Sequence, residues 1–341
     1  MFFWDCDYCE GADERILARL IETNRESLPG YGSDRYCESA KEKIRIACAS
    51  ADADVFFLTG GTQTNMTVIS SLLSSYEGVL TAASGHIAVH EAGAIENRGH
   101  KVLELPQHDG KILPEELRAF LVSFHKNETK EHMVYPGLVY LSHPTEFGTL
   151  YTAAELSDLS LICREYEIPL YLDGARLGYG LAAAGTDVTL PILAKFCDVF
   201  YIGGTKVGAL CGEAVVFPRG NAPRHFFTRI KQQGALLAKG RLVGIQFDTL
   251  FTDDLYLELG KHAVRMAEKL RDGLKKKGFT FYLSSPTNQQ FLVVTRDELA
   301  RIASLTTYSF WENLDEEHKV IRLATSWATK ETDIDTFLAE I

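Results

Sequence analysis

Between residues 54 and 217 short apolar runs alternate with longer amphipathic ones, and this alternation narrows the possible folds more than any other feature. The stretches 54–61 (DVFFLTGG), 78–82, 100–106, 137–146, 169–175 and a pair flanking Lys206 read as strands. Residues 62–76, 113–125 and 152–166 carry apolar side chains at helical spacing, and another helix is expected after His86. Strands joined by helices of about 10–15 residues specify a mostly parallel sheet sandwiched by helices. Two helices, 12–28 and 38–50, precede it on either side of a loop at 29–36. After Asp254 the pattern changes to a long helix, strands at 279–284 and 290–295, a helix from Arg296 and a strand at 319–324. The expected architecture is α/β, with an N-terminal segment and a large domain over residues 1–250 and a small C-terminal α+β domain over 251–341.

Charge and composition exclude several classes of function. Thirty-five Lys and Arg against 46 Asp and Glu leave a net charge of −11, which argues against nucleic acid or an anionic membrane as partner. No apolar run approaches the ~18 residues of a membrane span, and the N-terminus has no basic stretch like that of a secretory signal. Seven cysteines spread thinly over the chain suit unpaired thiols in a reducing, cytoplasmic setting. Cys6 and Cys9 form a C-x-x-C, but no second pair follows at metal-ligand spacing, so no metal site is expected.

Chemistry concentrates at the ends of the apolar runs. In VFYIGGTKVGALCGEAVVF (199–217), Lys206 is the only cation between Lys195 and Arg219. Burying an ammonium there is costly unless it is paired or gives up its charge. Asp173 ends the run in YLDGAR, where an ion pair with Arg176 or a helix cap is the ordinary explanation and a pyridinium partner the functional one. TGGTQTN (59–65) leaves a strand and opens a helix, with Thr62 or Thr64 able to cap it. Free backbone N–H groups at Gly60, Gly61 and Thr62 could meet a phosphate there. A lysine for an aldehyde, a carboxylate for a pyridine nitrogen and a helix N-terminus for a phosphate are together what pyridoxal 5'-phosphate (PLP) requires.

These residues lie within a wider resemblance. The stretches PGYGSDRY, TGGTQTN, SGHIAVHEAGA, PTEFGTLYT, YLDGARLGYGL, GGTKVGALCGEAVVF, KGRLVG and VIRLATSWAT make the chain similar to the threonine aldolases and β-eliminating lyases of PLP fold type I, the aspartate-aminotransferase-like fold. The resemblance implies a lyase that cleaves Cα–Cβ of an L-β-hydroxy-α-amino acid to glycine and an aldehyde. Another PLP-dependent lyase or a transaminase on the same frame is the alternative. It implies Lys206 as the imine-forming lysine, Asp173 on the pyridine nitrogen and His86 on the ring face. Gly61 and Thr62 would hold the phosphate with Arg241, and Lys231 would add to it from a neighbouring subunit. Arg322 would take the substrate carboxylate with Arg176 nearby, and Tyr31 would reach into a partner's site. Cys6 stands where the family often has a serine near that carboxylate. The β-hydroxyl base stays open among His86, His143, Glu146 and water. A homodimer or homotetramer with shared active sites is implied.

Overall fold

The computed structural model describes residues 1–341. Its central sheet has seven strands, in the order Asp54–Leu58, Glu213–Phe217, Val199–Gly203, Leu170–Asp173, Tyr135–Ser142, Glu77–Ala82 and Val102–Leu105. Only Glu213–Phe217 runs against its neighbours, and every other pairing is parallel. The expected mostly parallel sheet is therefore present, with one reversed strand near its edge. Alternate strand residues face two buried layers. Val55, Leu80, Leu141, Leu172, Ile202 and Val216 enter one, while Leu58, Val79, Tyr140, Tyr171, Tyr201 and Val215 enter the other. Burial on both faces explains why these runs are continuously apolar instead of alternating.

The helices fill in where the amphipathic spacing placed them, with shifted ends. The first is shorter than expected, Glu14–Glu22, because Asp13 caps its start and the chain turns at Thr23. The helix expected from His86 is one turn, His86–Val89. The helix Gly61–Leu72 has Gly60 as its N-cap and no side-chain cap, so the capping role expected of Thr62 or Thr64 is not realised. Both threonines lie inside the first turn, and the N–H groups there have no side-chain acceptor from this cap.

The long helix Leu255–Lys276 leads to a four-stranded antiparallel sheet ordered Ser309–Asn313, His318–Ala324, Gln289–Thr295 and Thr280–Phe281. Its outer strand Ser309–Asn313 was not anticipated from the sequence, because its residues are mostly half-exposed and polar. The first residues of the chain pack here: Phe2 and Phe3 pair with Thr306 and Thr307, and Trp4 is buried beside Phe337. That pairing carries the following segment, Asp5 to Asp13, back across the edge of the central sheet, where Asp13 N donates to the Gly208 carbonyl. No helix is long and apolar enough to cross a membrane.

Candidate active site

Parallel strands present their carboxyl ends on one edge, and loops leaving that edge form a cleft. Gly60 and Gly61 follow Leu58, His86 follows Ala82, Glu146 follows Ser142, Ala175 and Arg176 follow Asp173, and Lys206 follows Gly203. The reversed strand enters at the same edge, which puts Glu213 opposite Gly203. Gly60, Gly61, Thr62, His86, Asp173, Arg176 and Lys206 line one cavity of about 380 Å³. A neighbouring hollow of about 320 Å³ shares Tyr8, His86, His90, Glu146, Arg176 and Lys206 with it and adds Trp311 and Arg322.

Lys206 sits in a tight turn between antiparallel strands. Gly204 N donates to the Gly212 carbonyl at 2.9 Å, and a Cβ on Gly204 would lie 2.8 Å from that oxygen and 3.0 Å from the Phe247 ring. Glycine is required there by the close approach. The Tyr179 hydroxyl donates to the Lys206 carbonyl, fixing the backbone, while Nζ lies 5.7 Å from the Tyr8 ring centroid. Burial and the nearby Arg176 guanidinium push the ammonium down to about 8, against the opposing pull of Asp7, Asp173 and Glu213. A lysine so placed is a free base far more readily than one in water.

Asp173 is held as a carboxylate. Burial alone would raise its pKa, but His86 and hydrogen bonds from Tyr140, Tyr201 and Asn65 hold it below the usual range. Tyr140 donates to Oδ2 at 2.6 Å, Asn65 Nδ2 to the same oxygen at 2.9 Å, and Ala175 N to Oδ1 at 2.9 Å. The ion pair with Arg176 that the sequence allowed is not formed. Asn65 also donates to Glu91 Oε1 at 2.7 Å, and His86 Nδ1 lies 2.8 Å from that oxygen. A single chain of contacts thus links His86, Glu91, Asn65 and Asp173. Sequence reasoning passed over Asn65, Glu91, Tyr140 and Tyr201, although Asn65 and Glu91 lie inside motifs already singled out.

Arg176 faces the cavity, but its guanidinium forks onto Asp7, Nε to Oδ2 at 2.7 Å and one terminal nitrogen to Oδ1 at 2.9 Å. It lines both the cavity and the neighbouring hollow, as expected of a residue near cofactor and substrate, with Asp7 occupying two of its nitrogens. Burial would raise Asp7, but Arg176 and Lys206 more than offset it and hold the carboxyl at about 2. Arg322 is bound differently. Its terminal nitrogens donate to Gln289, the Asp5 carbonyl and Ser309, whereas its buried Nε has no partner. Burial and the proximity of Arg176 lower its pKa to about 10, the mark of a cation short of counter-charge.

The remaining expected residues fall into three places. Cys6 does not line the cavity, and its Sγ rests 3.3 Å from that of Cys9. Arg241 does not reach the cavity in its own chain, because it donates to the carbonyls of Glu26 and Asn24, at 2.7 and 3.0 Å. Lys231 lies 4.4 Å over the Tyr31 ring at a separate apolar hollow that includes Tyr31, Phe227 and Ile230. Of the side chains considered as base, His86 and Glu146 face the cavity, joined by His90, while His143 does not. His143 is fully buried, with Nδ1 accepting from Tyr151 N at 3.3 Å.

That placement of His143 has a consequence for stability. Burial pushes its imidazole down to about 4, so the fold favours the neutral ring. Above the ordinary value near ~6.5 both folded and unfolded rings are neutral; below it, the unfolded chain takes up a proton that the native ring refuses until about 4. Stability is therefore expected to fall as pH drops from about 6.5 to 4, by on the order of 3 kcal/mol from this group. Urea unfolding across that window should show the slope, and His143→Gln should flatten it. An equal slope in the variant would assign the loss to other groups.

Comparison with known proteins agrees with the site. The β-eliminating lyase family matches residues 18–330. The low-specificity L-threonine aldolase of Pseudomonas aeruginosa is 31% identical over 268 residues, 78% of this chain and 76% of that one. The solved threonine aldolase of Leishmania major is 40% identical with a TM-score of 0.95, covering 99% of this chain and 98% of its own. Aspartate aminotransferase from Thermus thermophilus shares the fold alone, at 13% identity and a TM-score of 0.70 over 97% of this chain and 88% of its own. With the cavity residues and these likenesses taken together, the chain belongs to the β-eliminating lyase family, PLP-dependent enzymes of the aspartate-aminotransferase-like fold.

Proposed function

We propose that this chain is a PLP-dependent aldolase that cleaves an L-β-hydroxy-α-amino acid, threonine, allo-threonine or a phenylserine-like compound, to glycine and an aldehyde. The observation that carries the reading is the convergence of Lys206, Asp173 and the uncapped start of helix Gly61–Leu72 on one cavity beside the partnerless Nε of Arg322. The names of the relatives from Pseudomonas aeruginosa and Leishmania major support the same activity.

The residues present fit the cofactor. The first-turn N–H groups at Gly61 and Thr62, after a Gly60 whose added Cβ would meet nothing within 4 Å, leave room for a phosphate at the positive end of a helix. Asp173 offers a buried carboxylate to a pyridinium nitrogen, and His86 is held beside it through Glu91 and Asn65. When bound, the cofactor supplies the electron sink that makes Cα–Cβ cleavage possible. The chain's own residues do the rest. Lys206, which lines the cavity, would hold the cofactor's aldehyde through its side-chain amine. Arg322, which lines the neighbouring hollow, would take the carboxylate and thereby fix which bond at Cα can break. His86, His90 or Glu146 receives the β-hydroxyl proton, since these groups face the hollow. Burial lifts the Glu146 carboxyl above its usual range, which makes it a stronger base than an exposed glutamate.

Other readings concern the assembly. An N-terminal segment, whose first residues pack on the small domain, and the large domain make up 1–250, and the small domain extends over 251–341. The chain is cytoplasmic and forms a homodimer or homotetramer in which Tyr31, Lys231 and Arg241 complete a partner's site. Their distance from the cavity of their own chain supports that reading, as does the apolar hollow beside Tyr31.

The direct test is to incubate the protein and PLP with L-threonine, L-allo-threonine and L-phenylserine, measuring glycine and aldehyde in equal amounts. Release of pyruvate and ammonia, or amino transfer to a keto acid, would assign a different reaction on the same frame. Arg322→Lys is expected to raise KM for the amino acid by roughly 10- to 100-fold with a smaller change in kcat, because a lysine cannot keep the contacts with Gln289, Ser309 and the Asp5 carbonyl that aim the guanidinium. An unchanged KM would remove Arg322 from substrate binding.

A further inference from the structure

The hollow beside the cavity has a wall that the reaction as described leaves unused. Arg322, His86, His90 and Glu146 already have parts to play there, and the large side chains that remain are aromatic: Tyr8, Phe310 and Trp311. Tyr8 and Phe310 are more than half exposed, whereas Trp311 is partly buried and held. Its ring meets Phe147 at 5.1 Å and Phe291 at 4.9 Å between centroids, edge to face in both contacts. Such pairs fix the orientation of a ring as well as burying it.

The backbone explains why this residue stands where it does. In the outer strand, Ser309 pairs with Arg322 and Phe310 with Ile321, but the next pair is Glu312 with Val320. Trp311 is the extra residue of a β-bulge, a device that re-aims a side chain and is over-represented next to active sites. On the other side of Arg322, its register partner is Phe291. Ser309, Arg322 and Phe291 thus form one row across the sheet, and Ser309 Oγ accepts from the guanidinium at 3.1 Å. Trp311 stands two residues beyond that row, ~7 Å along the strand. Its ring rests on the row's own Phe291.

We propose that Trp311 is the surface on which the β-substituent of the substrate rests, and that it makes the site prefer an aryl-bearing β-hydroxy-α-amino acid, of the phenylserine kind, to threonine. The inference rests on the aldolase reading and on Arg322 as partner of the carboxylate. Lys206 and Arg322 line the same hollow, so a substrate held at both lies within it. Its hydroxyl goes to the polar side chains, His86, His90 or Glu146, and its β-substituent is left the aromatic ones. A methyl group covers little of an indole face and a phenyl ring much more of it, and hydrophobic attraction grows with the area removed from water. A ring already fixed by Phe147 and Phe291 loses little further freedom when a ligand packs on it.

The test uses the PLP-loaded enzyme, with kcat/KM measured for L-phenylserine and L-threonine. Binding is measured by titration calorimetry with L-phenylalanine and L-2-aminobutyrate, the same two skeletons without the β-hydroxyl. Wild type should favour phenylserine by roughly 10-fold or more. Trp311→Ala should cut kcat/KM for phenylserine and affinity for phenylalanine about 10-fold, while the threonine and 2-aminobutyrate values change by less than about threefold. Trp311→Phe should keep most of the preference. Equal losses for both substrates would make Trp311 a support for Arg322 or for Phe147 and overturn the proposal, as would a wild type with no preference for the aryl compound. Trp311→Leu takes the place of the alanine variant if that one does not fold; failure of both to fold assigns the residue to structure and equally overturns the proposal. If wild type cleaves neither amino acid yet binds phenylalanine more tightly than 2-aminobutyrate, the aldolase reading fails and the aromatic wall stands. Equal binding of the two removes the wall.

Discussion

Lys206→Ala is expected to bind PLP without the ~420 nm band of a lysine-bound aldehyde and to lose aldolase activity by roughly 10³-fold or more. The argument is physical. The side chain lies at the end of a buried strand, its ammonium pushed down to about 8 by burial and Arg176, and no other lysine lines the cavity. Alanine removes the only amine that can hold the aldehyde and pass it on. The fold should tolerate the change, because the turn is held by the Gly204–Gly212 contact and by the Tyr179 hydroxyl on the backbone carbonyl, none of which uses the lysine side chain. Removing a partly desolvated cation is close to neutral or stabilising in such a setting. The check is a spectrum, a borohydride-trapping experiment and a thermal unfolding curve on the same preparation. A variant that keeps both the band and the activity would place the cofactor on a different residue and dismantle the assignment.

Asp173→Ala is expected to lower activity by on the order of 10² to 10³ and, unlike Lys206→Ala, to cost stability. The carboxylate collects hydrogen bonds from Tyr140, Asn65 and Ala175 N, all buried or half-buried. Alanine strands at least the Tyr140 hydroxyl and the Asn65 amide, each at about 1–3 kcal/mol. Asp173→Asn separates the two effects. It preserves the volume and some of the hydrogen bonding, so stability should largely return while activity does not, since an amide cannot balance a pyridinium charge. Full activity in Asp173→Asn would show that the negative charge is unnecessary, and the role given to this residue would fall.

Arg176 shows why the cavity resists simple inspection. From the sequence it is one step from a substrate role, three residues beyond Asp173. In the fold it meets Asp7, which reaches the site only because Phe2 and Phe3 pair with Thr306 and Thr307 and return the chain across the sheet edge. Arg322 differs, in that its Nε is left without a partner while Gln289, Ser309 and the Asp5 carbonyl occupy its other nitrogens. Likewise, both His143 and Glu146 lie in the stretch after Tyr135–Ser142, yet only Glu146 faces the cavity.

The sequence by itself determined the class of fold and the chemistry of its centre. Period and length of apolar runs are local properties, so strands were legible at 54–61, 78–82 and 169–175, while their ends, at 54–58, 77–82 and 170–173, were set by pairing and turns. A lone lysine in an apolar run, an acid at a strand end and a glycine turn before a helix are equally local, and they named Lys206, Asp173 and Gly61 in advance. Tertiary structure decided everything that depends on who neighbours whom across the chain. Asn65 meets Asp173 over 108 residues and Arg176 meets Asp7 over 169, contacts for which no spacing rule exists. It also decided that one strand runs backwards, and that reversal puts Glu213 opposite Gly203 at the cavity, because strand direction is set by sheet pairing and not by the residues of the strand.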